Sequence, residues 1–223
     1  MKRAPIICFI GLDGSGKSTA VAHAESVLRS RGVKVRTVRA AYVIKLMHIP
    51  IKIGKRLFMK KDSDPYKADY RTYLEKMRKN ADRGIGYKIF SAMTTLEFRA
   101  QIFWNVTLKH ALGTTLLIDR YIYDNAVTYA ANLGLGEEYM RRTVEKKWRR
   151  APKPDLIIYI KTPIDVCLSR KDDVPDPLYL EIREPLYTKI AQLYGARTIS
   201  GDEGLERMQN EVIRAIDEVS GKA

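Results

Sequence analysis

Residues 11–18 read GLDGSGKS, which fits the P-loop pattern G-x-x-x-x-G-K-[ST] without a gap. The apolar run 6–10 precedes the motif, and a stretch with apolar residues at helical spacing follows it as far as Arg31. A continuous apolar run predicts a strand buried in a parallel sheet, and the helical spacing predicts an amphipathic helix. Strand, glycine-rich turn and helix in this order predict an α/β fold in which the turn holds phosphate groups.

Each residue type in this motif suits a bound nucleoside triphosphate. The glycines let the backbone curl so that successive N–H groups point at phosphate oxygens, and the following helix adds the positive end of its dipole. Lys17 supplies a point charge for the β and γ phosphates, and Ser18 offers a hydroxyl to Mg²⁺. The predicted nucleotide-binding residues are Gly11, Asp13, Gly14, Ser15, Gly16, Lys17, Ser18 and Thr19.

The rest of the chain alternates short apolar or β-branched runs with helical patterns, which indicates a parallel sheet within one α/β domain. Further strands are predicted at 33–38, 114–118 and 156–160, with a short one near 198–199. Helices are predicted at 94–112, 121–133, 137–150, 163–170, 178–193 and 205–219, with a polar helix at 66–79. We expect a single domain, 1–223, with the three-layer fold of a P-loop kinase: a central parallel five-stranded sheet flanked by helices, and a short lid at about 169–183.

The net charge of +14 is concentrated in two segments of the chain. Residues 45–90 contain 13 Lys or Arg and 5 Asp or Glu, a net charge of +8, and residues 141–153 contain 7 basic residues and 1 acidic residue, a net charge of +6. The first segment falls in the stretch at about 40–92, which we interpret as a basic helical insertion. A basic field attracts anionic partners, although a solvated surface rich in Lys and Arg accounts for the charge equally well.

The sequence predicts a cytoplasmic protein without a membrane span. No stretch approaches the ~18–20 apolar residues of a transmembrane helix, and the apolar run near the start lacks the small-residue cleavage site of a signal peptide. Cys8 and Cys167 lie in apolar runs without metal-binding or redox spacing, as expected of buried thiols in a reducing compartment.

Asp119-Arg120-Tyr121, at the end of the predicted third strand, is a second candidate site. Ligands bind at the carboxyl ends of parallel strands, where a guanidinium can hold a phosphate and a carboxylate can orient a hydroxyl or Mg²⁺. The alternative interpretation is a surface ion pair that caps the next helix. Two other P-loop classes fit less well: 161–165 (KTPID) does not match the N-K-x-D motif of switch GTPases, and Asp119 lacks the second acid of hydrolytic ATPases.

Taken together, these motifs resemble those of the thymidylate kinases, a family of nucleoside monophosphate kinases. The loop GLDGSGKST with its interior Asp13 is similar to the P-loop of that family, and D-R-Y at 119–121 is similar to its signature. Arg99 stands where the family holds the acceptor phosphate, and Tyr129 resembles the tyrosine that follows D-R-Y. Residues 154–160, with Pro163 and Arg170 beyond them, resemble the family's fourth strand and the entry to its lid.

The resemblance spans 4–38 and 93–219 and implies a role for several residues. It implies ATP as the phosphoryl donor, Mg²⁺ as cofactor, nucleotides as substrates and a homodimer. The implied catalytic residues are Asp13, Lys17, Arg99, Asp119 and Arg120, and the implied metal ligands are Ser18 and Asp119. The implied acceptor-binding residues are Arg39, Thr95, Arg99, Arg120, Tyr121 and Tyr129, and the implied lid residues are Arg170, Lys171 and Arg183.

The chain departs from the family where the base of the acceptor is read. The R-E-P-G-G-T motif after the second strand is absent, and Thr95 replaces the aromatic residue that stacks on thymine. Ala130 replaces a glutamine, and Asp124-Asn125 replaces a pair of serines. The residues that would bind phosphate are therefore kept, while those that would recognise the base are not. The resemblance thus supports phosphoryl transfer as the reaction more strongly than it supports thymine as the base of the acceptor.

The sequence thus leads to one hypothesis and two rivals. The hypothesis is ATP- and Mg²⁺-dependent phosphoryl transfer to a nucleoside monophosphate, with dTMP, converted to dTDP, as the first candidate. The first rival is a P-loop kinase of another acceptor, such as a nucleoside, a polynucleotide end or another small phosphorylated molecule. The second rival is a protein that uses ATP only as a conformational ligand and associates with nucleic acid or a membrane through its two basic segments.

Overall fold

The computed structural model describes residues 3–39, 70–81, 84–171 and 176–221. Its strands form one five-stranded sheet in the order β2-β3-β1-β4-β5, and every neighbouring pair is parallel. The strands are β1 (Ile6–Ile10), β2 (Val35–Arg39), β3 (Thr115–Asp119), β4 (Leu156–Lys161) and β5 (Arg197–Ser200). The predicted α/β class with a central parallel five-stranded sheet is confirmed, and this architecture is consistent with a P-loop kinase fold.

Helices connect the strands and lie on both faces of the sheet. They are α1 (Lys17–Ser30), α2 (Tyr70–Ala81), α3 (Gly84–Ile102), α4 (Leu108–Ala111), α5 (Ile122–Leu133), α6 (Glu137–Arg142), α7 (Ile164–Ser169), α8 (Pro177–Leu193) and α9 (Leu205–Ser220). A π-helical turn, Phe103–Thr107, joins α3 to α4, and a second one, Thr143–Lys147, extends α6.

The core consists of two apolar clusters, one on each face of the sheet. Successive side chains of a strand point to opposite faces, so Ile7 and Phe9 of β1 pack with α1 and α9, while Ile6, Cys8 and Ile10 pack with α3, α5 and α8. All five residues of β1 and of β3 are buried, as expected for central strands of a parallel sheet that is covered on both faces. This arrangement gives the predicted three layers.

Several element boundaries differ from the sequence-based prediction. The helix predicted to begin at Thr94 begins at Gly84, within the stretch interpreted as an insertion, although glycine has a low helix propensity. The helix predicted to reach Arg150 ends in the π-helical turn at Lys147, where the Trp148 N–H donates to the Thr143 carbonyl at 3.0 Å. The polar helix predicted at 66–79 is α2.

Parts of the predicted insertion and lid lie outside the described residues, namely 40–69, 82–83 and 172–175. Within the portion of the chain that the structure describes, none of the helices combines the length and apolarity that crossing a bilayer requires.

Candidate active site

The glycine-rich loop 11–16 connects β1 to α1 and packs tightly against the backbone of β4 and of α7. Gly14 has φ +84°, and a Cβ on it would lie 2.3 Å from the carbonyl oxygen of Cys167 in α7. Gly11 has φ +144°, and a Cβ there would lie 2.5 Å from the carbonyl oxygen of Ile160. Only glycine fits both the dihedral angle and the space at these two positions, so the loop is a fixed cradle of backbone groups.

Lys17 lies at the start of α1 with its amine turned back into the loop. Its Nζ donates to the Leu12 carbonyl and lies 3.4 Å from Ser15 Oγ, and the residue is 5% exposed. Burial, followed by the nearby Arg120, lowers the pKa of Lys17 to about 8, with a partial offset from Asp13. At neutral pH the amine therefore remains largely protonated, and its charge is held inside the cradle.

Asp13 is the residue on which three other side chains converge. Its Oδ1 accepts a hydrogen bond from Arg120 Nη2, and its Oδ2 accepts one from the Tyr179 hydroxyl at 3.1 Å. Lys171 Nζ lies 3.8 Å from Oδ1. Burial alone would raise the pKa of Asp13, but Arg120, Lys17, Lys171 and the Tyr179 hydrogen bond together hold it below its ordinary value. The carboxylate is therefore ionised and fixed at both oxygens.

Arg120 adopts an unusual backbone conformation directly after β3. Its φ is +63°, and it alone among the non-glycine residues of the described ranges has a positive φ. Its N–H donates to the Phe9 carbonyl at 3.4 Å, which ties the turn to the end of β1. A non-glycine residue in this region costs about 1–3 kcal/mol and persists where surrounding contacts fix it, often at functional sites. Here the turn aims the guanidinium at Asp13.

The ends of three strands bring further predicted residues to the same edge of the sheet. Asp119 is in register with Phe9 of β1 and with Arg39 of β2. Asp119 is 7% exposed, and its Oδ1 is buried without a hydrogen-bond partner among the described residues. Ser18, in the first turn of α1, is exposed. A buried carboxylate oxygen that lacks a donor suits a cation or a bound hydroxyl at this edge.

These residues fit Mg²⁺ that arrives with a nucleotide. Mg²⁺ is usually held by one or two protein oxygens together with substrate phosphates and water, rather than by a cage of side chains. The part of the chain described in the structure contains no group of three or more His, Cys, Asp or Glu that could bind a metal by itself. Asp119 and Ser18 are the side chains that would contribute the protein oxygens.

A second cluster brings together Arg99 of α3 and Tyr129 of α5, both predicted on the acceptor side. Arg99 Nη2 donates to the Lys147 carbonyl at 3.3 Å, and Lys147 Nζ lies 4.6 Å from the Tyr129 ring centroid and 5.3 Å from that of Trp148. Burial, followed by Arg99, lowers the pKa of Lys147. Two cations beside an aromatic ring form a site that suits an anion.

Phe98 and Trp148 form the packed floor of this cluster. Their rings meet edge to face with centroids 4.8 Å apart, and Trp148 Nε1 donates to Asn125 Oδ1 at 3.0 Å. Both aromatic residues are almost completely buried. The floor therefore links α3 and the π-helical turn to α5, the helix that follows the D-R-Y motif.

Sequence reasoning missed Lys147, although it identified the basic segment 141–153 to which the residue belongs. The π-helical turn Thr143–Lys147 shifts the helical phase, and Lys147 at its end places its carbonyl against Arg99 and its ammonium over the Tyr129 ring. The neighbouring Lys146 is exposed instead. Thr95, predicted at the acceptor base, lies one turn before Arg99 on α3 and is half-buried.

Three other predicted site residues bond to groups within the protein. The Tyr121 side chain is 1% exposed and donates to the Pro152 carbonyl at 3.0 Å, so it belongs to the core rather than to an open acceptor site. Arg183 is 5% exposed and lies in the interior, bonded to Tyr70 and Asn132, rather than facing the phosphates. Arg170 donates to the Gly201 carbonyl at 2.9 Å.

Asp124 is a further residue that sequence reasoning did not assign to the site. Its Oδ2 accepts from the Tyr121 N–H at 3.0 Å, which caps α5, and its Oδ1 accepts from the Tyr187 hydroxyl at 2.7 Å. Burial raises its pKa, and the nearby Arg120 and Lys17 offset part of the rise. The residue therefore anchors the turn that carries Arg120. Helix N-termini often carry Ser or Thr at the N-cap and an acidic residue three positions later. Here the N-cap residue is Tyr121, so the sequence pattern does not reveal this cap.

Comparison with known proteins identifies similar sequences, although no protein-family model matches the chain. A protein named probable thymidylate kinase from Methanothermobacter thermautotrophicus is 25% identical over 213 residues, which cover 94% of this chain and 93% of that protein. One named probable thymidylate kinase 1 from Saccharolobus solfataricus is 25% identical over 221 residues, or 95% and 96% of the two chains. A third, from Aeropyrum pernix and also named as a thymidylate kinase, is 25% identical over 154 residues, or 60% of this chain and 71% of its own length. The chain is thus similar, along nearly its whole length, to archaeal proteins that are named as kinases.

Proposed function

We propose that the chain is a phosphotransferase that moves the γ-phosphoryl group of ATP to a nucleoside monophosphate, with dTMP as the first candidate. The observation that carries this proposal is the pairing of Asp13 with Arg120 beside the buried Lys17. A loop that only bound a phosphate would need neither the acidic side chain of Asp13 nor an arginine held at positive φ at the end of the neighbouring strand. The names of the similar archaeal proteins support the same reaction class.

On the donor side, the loop amides and Lys17 hold the phosphates of ATP. The phosphates displace Lys17 Nζ from the Leu12 carbonyl, because a charge-assisted bond to phosphate is stronger than a bond to a neutral carbonyl. Ser18 and Asp119 would hold Mg²⁺, which would supply charge neutralisation for the nucleotide phosphates when bound.

On the acceptor side, Arg120 orients the phosphate that attacks, and Asp13 keeps the guanidinium in place. Arg99 and Lys147 supply further positive charge for the acceptor, and Tyr129 flanks them. Transfer between two anions needs this charge because phosphoryl transfer depends on positioning and electrostatic stabilisation. Arg39, at the same edge of the sheet, is a further candidate for the acceptor side.

We also propose that Arg170 and Lys171 belong to a lid that excludes water, which would otherwise compete as the acceptor. Lys171 already reaches Asp13 in this structure. We place the protein in the cytoplasm, where its two free, buried cysteines would stay reduced. A homodimer, as the resemblance implies, would cover large apolar side chains that are exposed along the α3–α4 segment: Leu96, Phe103, Trp104, Leu108 and Leu112.

The test measures ADP release from ATP and Mg²⁺ with each nucleoside monophosphate in turn. A reaction without acceptor and a Lys17→Ala variant serve as controls for hydrolysis and contamination. Stoichiometric ADP and nucleoside diphosphate with dTMP alone would establish thymidylate kinase activity despite Thr95 in the base site. Release with another monophosphate would correct the acceptor, and release with none, alongside intact ATP binding, would overturn the proposal.

A second candidate function is nucleic-acid binding, favoured by the exposure of most Lys and Arg side chains in the basic segment 141–153. The exposed residues are Arg141, Arg142, Lys146, Arg149, Arg150 and Lys153. Phosphate neutralisation predicts a log–log salt dependence with a slope of about −0.9 per contact. Titration of the protein with a labelled DNA duplex at several salt concentrations measures this slope, and a flat dependence removes the candidate.

A further inference from the structure

Tyr179 contacts Asp13 although α8, which carries it, is far from the loop in sequence. The Tyr179 hydroxyl donates to Asp13 Oδ2 at 3.1 Å, while Arg120 bonds Oδ1. The two bonds hold the carboxylate by both oxygens, so its plane cannot rotate freely. Burial raises the pKa of Tyr179 to about 12, so the phenol keeps its proton and remains a donor at neutral pH.

The ring of Tyr179 is in turn held by Arg183, one turn further along α8. The guanidinium carbon of Arg183 lies 3.7 Å from the Tyr179 ring centroid, and its Nη1 donates to the Tyr179 carbonyl at 3.0 Å. The ring of Tyr70 meets that of Tyr179 edge to face with centroids 5.6 Å apart. Tyr179 is thus packed between a cation and an aromatic ring, an arrangement that restricts its side-chain rotamer.

Arg183 also fastens this arrangement to two other helices. Its Nη1 donates to the Tyr70 hydroxyl of α2 at 2.7 Å, and its Nη2 donates to Asn132 Oδ1 of α5 at 3.0 Å. Both acceptor oxygens are neutral, so these two bonds fix the direction of the guanidinium rather than neutralise its charge. A chain of contacts therefore runs from α2 and α5 through Arg183 and Tyr179 to Asp13.

We propose that Tyr179 is a positioning residue that fixes the Asp13 carboxylate against Arg120, and that Arg183 acts through Tyr179. The kinetic consequence rests on the proposed function, because it supposes that Arg120 orients a reacting phosphate. Without the Tyr179 hydroxyl, Asp13 Oδ2 loses this donor and the Asp13–Arg120 pair gains rotational freedom. This loss affects the rate of transfer more than the binding of ATP, since the loop amides and Lys17 are unchanged.

The first experiment follows the titration of the Asp13 carboxyl carbon by NMR in a Tyr179→Phe variant. The variant keeps the packed ring and removes only the hydroxyl, and thermal unfolding verifies that it folds. Tyr159→Phe is the matched control, because its hydroxyl lies 3.4 Å from Thr188 Oγ1 of the same helix α8. We expect the pKa of Asp13 to rise in Tyr179→Phe and to stay unchanged in Tyr159→Phe. An unchanged titration in both variants would overturn the proposal.

The second experiment is a double-mutant cycle on the rate of phosphoryl transfer. Tyr179→Phe should lower kcat by about tenfold and change the dissociation constant of ATP by less than about twofold. In an Asp13→Asn background, Tyr179→Phe should have no further effect on kcat, because its route to the reaction has been removed. If Tyr179→Phe lowered kcat by the same factor with Asp13 and with Asn at position 13, the proposal would be contradicted. If no acceptor is phosphorylated at all, the proposed function is wrong. The NMR titration of Asp13 would then still test whether Tyr179 positions the Asp13 carboxylate.

Discussion

The guanidinium of Arg120 bonds the carboxylate of Asp13, which precedes it by 107 residues in the chain. Asp13 belongs to the glycine-rich loop after β1, and Arg120 belongs to the turn after β3. The two strands are neighbours in the sheet, so the pair joins the two motifs that the sequence singles out.

Replacement of Arg120 by Lys should lower kcat/KM for the acceptor by about 100-fold to 1,000-fold, because the ammonium cannot provide the planar set of donors. Steady-state kinetics with the accepted monophosphate measure the effect. Arg31→Lys is the matched control, since Arg31, directly after α1, pairs with Asp217 of α9 at 2.6 Å on the surface. Equal activity of both variants would contradict the role assigned to Arg120.

Gly14→Ala should abolish nucleotide binding, because the added Cβ would lie 2.3 Å from a backbone oxygen of Cys167. Gly113→Ala is a control matched for backbone conformation: its φ is +71° and nothing lies within 4 Å of the added Cβ. The control should therefore carry only the cost of a left-handed residue, about 1–2 kcal/mol in the free energy of unfolding. Fluorescent-nucleotide binding and urea unfolding of both variants separate the two effects.

ATP binding near pH 8 should take up protons. The pKa of Lys17 is about 8 in the free protein, so about half of the amines are neutral at that pH. A bound triphosphate favours the charged amine and raises its pKa, which predicts uptake of about 0.5 proton per ATP. Calorimetry in buffers of different ionisation enthalpy measures the uptake. Lys17→Arg, which stays protonated, should show none, and equal uptake by both proteins would exclude Lys17 as its source.

Lys147→Met should raise KM for the acceptor by about tenfold, as expected for the loss of a partly desolvated charge–phosphate contact. The dissociation constant of ATP should stay the same, since Lys147 belongs to the Arg99 cluster rather than to the glycine-rich loop. Lys146→Met removes the same charge from an exposed neighbour and should leave KM nearly unchanged. Identical acceptor KM values for the two variants would remove Lys147 from the acceptor site.

Phe98→Ala should lower the free energy of unfolding by about 3–5 kcal/mol, because it opens a cavity beneath Trp148. Phe98 is 1% exposed, whereas Phe103, on the same helical segment, is 51% exposed. Phe103→Ala should therefore cost far less. Urea denaturation of the two variants measures the difference, and similar losses would show that the Phe98–Trp148 contact does not anchor α3.

Much of the fold follows from local sequence patterns. The apolar runs predict the strands because central strands of a parallel sheet are buried on both faces, and the motif at 11–18 predicts the turn because its glycines are needed for positive φ angles. Boundaries were harder to predict: Gly84 begins a helix that its own propensity disfavours, and the π-helical turn at Thr143–Lys147 leaves no signal in the helical period.

The sequence by itself determined the α/β class, the glycine-rich loop with Asp13 and Lys17, and the acid and arginine at the end of the third strand. Only the tertiary structure decided that Tyr179 bonds Asp13 across a separation of 166 residues, that Arg99 bonds the Lys147 carbonyl, and that Arg183 is buried. The physical reason is that periodicity and turn chemistry report the conformation of neighbouring residues. Contacts between helices depend instead on how their side chains pack against one another, and no local pattern encodes that packing.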